Sequence, residues 1–63
     1  MEFSNINLGL KTNMRQAYTI TMSGQIFFVT HNERYDTIEW NMRAEEDIKE
    51  KVEKTLRIYL TNQ

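Results

Sequence analysis

The sequence predicts an α+β chain: a three- or four-stranded antiparallel β-meander followed by one C-terminal amphipathic helix packed on one face of the sheet. Three observations predict it. Up to about Trp40 the apolar residues recur with period two, after it they recur at three and four, and short polar clusters separate the runs. No proline, repeat or linker-like stretch interrupts the 63 residues, so the whole of 1–63 reads as one domain.

In "NINLGLKT" Ile6, Leu8 and Leu10 alternate with Asn5, Asn7, Gly9 and Lys11, which predicts a first strand over about 5–11. "AYTITM" places Tyr18, Ile20 and Met22 on one face and Ala17, Thr19 and Thr21 on the other, a second strand over 17–22 rich in strand formers. "MSGQ" supplies the turn. A three-residue loop of Met22, Ser23 and Gly24, with Gly24 in the left-handed position, would pair Thr21 with Gln25 and start a third strand over 25–30. In that register Ile26 and Phe28 join Tyr18 and Ile20, while Phe27 and Val29 join Thr19 and Ala17 on the back. After the polar "THNER", where Asn32 is the residue most tolerant of positive φ, "YDTIEW" alternates once more. That predicts a fourth strand over 35–40 with Ile38 and Trp40 inward.

Asn41 suits an N-cap, and no glycine or proline follows, so a helix is expected over 42–61. Ala44, Ile48, Val52, Leu56, Tyr59 and Leu60 form its apolar stripe. Pairs in the favourable order, Glu45 to Lys49, Asp47 to Lys51, Glu50 to Lys54 and Glu53 to Arg57, are spaced to support its solvent side by about 0.2–0.5 kcal/mol each.

One helix covers one face of a sheet. The strand "QIFFVT" is apolar on both, so Phe27, Val29 and Ala17 are expected on a second surface, with Ile58 off the helix stripe. These four residues are the candidate protein interface. Either Met1, Phe3 and Met14 fold over that surface or another chain does.

Composition narrows the function. A chain this short buries only about 60% of the surface its unfolded form exposes, and the absence of cysteine removes disulfides and the commonest zinc sites. Association with a partner, or with a second copy, is the remaining remedy for a small core. Eight basic and nine acidic residues give a net charge of −1, which weighs against nucleic acid as the main partner. Arg15, Thr19, Thr21, Arg34 and Tyr35 keep that alternative open. His31, near Glu33 and Asp36, is the one imidazole, too few for a metal site, and Ser4 and Ser23 sit in no nucleophile-elbow pattern. No catalytic residue, cofactor, metal or small-molecule substrate is therefore expected. No apolar run is long enough for a membrane span and the N-terminus has no signal-peptide pattern, so the expectation is a cytoplasmic protein. A short, cysteine-free chain with no site of its own resembles the small phage or prophage proteins that act by binding a host protein. What the chain implies is a regulator or inhibitor that works by contact.

Overall fold

The computed structural model describes residues 4–62. They form β1 (Ser4–Thr12), β2 (Arg15–Met22), β3 (Gln25–Asn32), β4 (Thr37–Trp40) and α1 (Glu46–Thr61), with the strands in one antiparallel sheet of order β1-β2-β3-β4. The α+β meander with a single C-terminal helix is thus the observed architecture. Met1 and Phe3, expected as one cover for the back of the sheet, lie outside the described residues.

The register of β3 differs from the expectation by one residue. Met22 pairs with Gln25, Ile20 with Phe27 and Tyr18 with Val29. The loop is therefore only Ser23 and Gly24, both at positive φ (52° and 77°), the geometry of a type I′ turn. That turn twists in the same sense as the strands it joins, whereas hydrophobicity could not arbitrate, because β3 offers two apolar residues to either face. The slip turns Phe27 and Val29 toward the helix and Ile26 and Phe28 away from it. Phe27 is 5% exposed and Val29 0%, so neither can serve as the interface expected of them.

The core under the helix comprises Tyr18, Ile20 and Met22 from β2, Phe27 and Val29 from β3, and Val52 and Leu56 from α1. Ile6, Ile38, Trp40, Ile48, Tyr59 and Leu60 pack against it. Two edge-to-face aromatic pairs organise this layer, Tyr18 with Tyr59 and Phe27 with Trp40, each with ring centroids 6.1 Å apart.

Near its end β1 bulges: its register with β2 shifts between Leu8 and Lys11. Gly9 allows the close approach, since a Cβ there would lie 3.3 Å from that of Ala17. Buried Gln16 donates its side-chain amide to the Gly9 carbonyl at 2.8 Å and so satisfies a group the bulge would leave unpaired. The β1–β2 turn again has two residues, Asn13 and Met14, at φ 39° and 68°. Met14 thus belongs to a turn at the end of the sheet.

β4 is shorter than predicted. Tyr35 and Asp36 belong to the loop before it, whose backbone amides at Arg34 and Tyr35 donate to the Asn32 side chain. The positive φ expected at Asn32 falls on Asp36, at 54°, while Asn32 ends β3 and fastens the loop from below. The helix starts four residues later than the expected 42. Asn41 is taken by the sheet, its amide donating to the Phe28 carbonyl at 3.1 Å and its side chain to Thr30 Oγ1 at 2.8 Å. Residues 42–45 then carry the chain from the sheet edge onto its face. Glu45 takes the N-cap position without a side-chain capping bond.

On the helix, tertiary partners replace the expected Glu53–Arg57 pairing. Glu53 accepts the Trp40 indole N–H at 2.8 Å, Arg57 donates to Asp36, and the Lys49 ammonium lies over the Trp40 ring. These contacts fix the helix to β4 and to the loop before it.

Stability of a chain this size is roughly 3–9 kcal/mol, so the two faces of β3 should differ sharply on truncation. Phe27→Ala is expected to cost about 3–5 kcal/mol and Phe28→Ala under about 1 kcal/mol, read as urea midpoints. Equal losses would contradict the observed register. Ser23→Asn, which eases the left-handed residue of the turn, should raise stability by up to about 1 kcal/mol in the same assay.

Candidate functional site

Among the described residues no element covers the side of the sheet away from the helix. In β2 it presents Arg15, Ala17, Thr19 and Thr21, in β3 Ile26, Phe28 and Thr30, and in β1 Asn5 and Asn7, as the pairings Thr21–Ile26, Thr19–Phe28 and Asn7–Thr19 require. Ile26 and Phe28, two residues apart on an inner strand, are 53% and 50% exposed. Side chains at this spacing stand on the same face, so the two make one apolar patch, with Thr19 and Thr21 as a polar but uncharged border.

The patch is anchored at Phe28. The Phe28 amide donates to the Met42 sulfur at 3.3 Å and its carbonyl accepts from Asn41, so the strand beneath the ring is paired even where β4 has ended. Beside Ile26, the crossing segment leaves a groove of about 480 Å³ lined by Ile26, Phe27, Met42, Ala44 and Ile48, with Gln25 and the charged Arg43 and Glu45 also on its wall. An apolar ridge next to a mostly apolar groove can receive a protruding side chain, the arrangement found at the energetic centre of protein interfaces.

Charge collects at the opposite end of the face. Arg15 and Glu39 lie 3.6 Å apart there, with the Asn32 side chain donating to the same carboxylate. An ion pair of this exposure contributes little to stability, but it leaves the guanidinium already neutralised.

Of the four residues expected to form an interface, Phe27 and Val29 are core. Ala17 does lie on the open face, half-buried against Gly9, and Ile58 is 55% exposed on the outer side of the helix, remote from that face. The structure therefore does not bring the four together. Sequence reasoning missed Ile26 and Phe28, and the signal that could have found them is Ser-Gly read as a two-residue hairpin loop.

His31 is on the helix side. Its Nε2 lies 2.8 Å from the Asp36 carboxylate, which also accepts from Arg57 Nη1 at 3.3 Å, while the Asp36 carbonyl accepts from Nη2 at 3.1 Å. The three residues tie the β3–β4 loop to the last turns of α1. Among the described residues no three histidine, cysteine or acidic side chains converge as metal ligands. No helix among them is long and apolar enough to cross a membrane. Comparison of the chain with protein-family models, with curated proteins and with solved structures finds no match.

The hydrogen bond from His31, and then Arg57, holds the Asp36 carboxyl below its ordinary value of 3.8. A folded-state value below the unfolded one contributes stability that is present above the unfolded value and lost as pH falls through the folded one. Asp36→Asn should therefore destabilise the protein near neutral pH. Its deficit relative to wild type in thermal melts should shrink as pH falls below about 4. A deficit independent of pH would show that the carboxylate charge is not what ties the loop to the helix.

Proposed function

We propose that this chain is a small, non-enzymatic protein-interaction module, a regulator or inhibitor that binds a cellular protein through the open face of its sheet. The observation that carries this is the Ile26–Phe28 patch: two large apolar side chains, half-exposed on β3, bordered by threonines and adjoining a groove with a mixed apolar and charged lining. Burying them against a partner would return part of the hydrophobic stabilisation that a chain of this length lacks internally. A cysteine-free chain suits the reducing cytoplasm, which favours a cellular protein as the target.

One observation favours a second reading, binding of single-stranded nucleic acid. An aromatic ring half-exposed on an open sheet can stack on a base. Against it stand the net charge of −1 and the prior engagement of Arg15 by Glu39, which leave little to attract phosphates.

Phe28→Glu separates folding from binding, because the ring is not part of the core. The variant should keep the wild-type far-ultraviolet circular dichroism and lose, in parallel affinity capture from the native cell, a protein that wild type and Ile58→Glu both retain. A captured set unchanged by Phe28→Glu would end the open-face proposal. A gel shift with single-stranded DNA at low salt should show no complex, and a complex abolished by Phe28→Glu would favour the second reading instead.

A further inference from the structure

The two edges of the sheet are not alike. β4 has four residues and carries Glu39, features that discourage pairing with another strand. β1 has nine residues, and from Ser4 to Leu10 it contains no charge and no proline. Its far half is guarded by the bulge at Gly9–Leu10 and by Lys11, which is paired with Glu33 at 3.2 Å. The near half, up to Leu8, has none of these devices.

Leu8 adds a second, independent feature. It pairs with Tyr18, so it stands on the helix side of the sheet, yet it is 60% exposed. The helix makes its fixed contacts with β2, β4 and the loop before β4, through Tyr59, Glu53 and Arg57, and leaves Leu8 uncovered. The apolar layer under the helix thus continues through half-buried Ile6 to an exposed leucine at an unpaired edge.

We infer that β1 pairs antiparallel with β1 of a second copy about a two-fold axis at Asn7, joining two sheets into one of eight strands with both helices on the same side. With Asn7 opposite its own mate, Ile6 of each copy stands opposite Leu8 of the other, so both exposed leucines gain an apolar cross-strand neighbour. The strand is self-complementary in this register, and with no charge from Ser4 to Leu10 no like charges meet. Because β4 is guarded, pairing through β1 closes at a dimer and does not propagate. A contact one strand long falls in the small class, below about 1,200 Å² in total, so the dimer dissociates at micromolar or higher concentration. The surface is an edge and not the open face, and the proposal stands whether or not that face binds a partner.

Sedimentation equilibrium of the full chain should show the mass rising with concentration from 7.6 kDa toward twice that value. Leu8→Lys should stay at 7.6 kDa throughout with unchanged circular dichroism, and Phe28→Glu should dimerise like wild type. Since the chain has no cysteine, Asn7→Cys gives a direct reading of register. Directly opposed residues of an antiparallel pair have Cα atoms about 4.5–5.5 Å apart, within disulfide range, so this variant should oxidise to a covalent dimer while Thr21→Cys does not. A wild-type monomer at every concentration would overturn the proposal. So would a dimer that survives Leu8→Lys but is lost in Phe28→Glu, or equal cross-linking of the two cysteine variants.

Discussion

The hairpin turn at Ser23 and Gly24 decides which side of β3 the helix covers, and most of the molecule's surface chemistry follows from that choice. Two left-handed residues in succession leave no room for a third loop residue, so Met22 must face Gln25. Because side chains alternate strictly along a strand, one residue of register exchanges the entire inner and outer sets. Phe27 and Val29 become core and Ile26 and Phe28 become surface. A strand apolar on one face only would have forced the answer by burial. This strand is apolar on both, and local backbone geometry was left to choose.

Polar contacts then hold the helix in place over the chosen face. Trp40 is central: its ring packs on Phe27, its indole N–H reaches Glu53, and Lys49 covers its outer side. Farther along, Asp36 gathers His31 and Arg57, so the loop before β4 and the end of α1 are fastened to one carboxylate. The Asp36–Arg57 ion pair is exposed and individually weak. The effect of these polar contacts is to select one orientation for a helix that the apolar stripe alone would allow to rotate or slide.

What remains uncovered has two distinct characters. The open face offers a compact apolar patch on a strand paired with β2 and anchored on its other side at Phe28 by Asn41 and Met42, suited to a shaped partner surface. The β1 edge offers free backbone groups with one exposed leucine beside them, suited to another strand. A sheet of four strands with a single helix leaves both uncovered among the described residues, and they point in different directions, so self-association and partner binding need not compete.

By itself the sequence determined the elements and their order. Period-two alternation in "AYTITM" and "YDTIEW" and the stripe from Ile48 to Leu60 each bury one side, and a pattern with one buried side is legible without neighbours. The inward residues of β2, β4 and the helix were readable for that reason. The structure decided between alternatives the sequence left open: the facing of β3, where Ser-Gly allowed a two- or a three-residue loop, the late start of α1, and the partners of Glu53 and Arg57. In each case the local pattern permitted two outcomes: two apolar faces, an Asn41 that could cap a helix or extend a ladder, and charges that could pair along the helix or across to the sheet. Competition between near-equal local options is settled by whichever satisfies more backbone and side-chain groups at once. That balance is a property of the assembled molecule, and for β3 its local trace is the two-residue Ser-Gly turn.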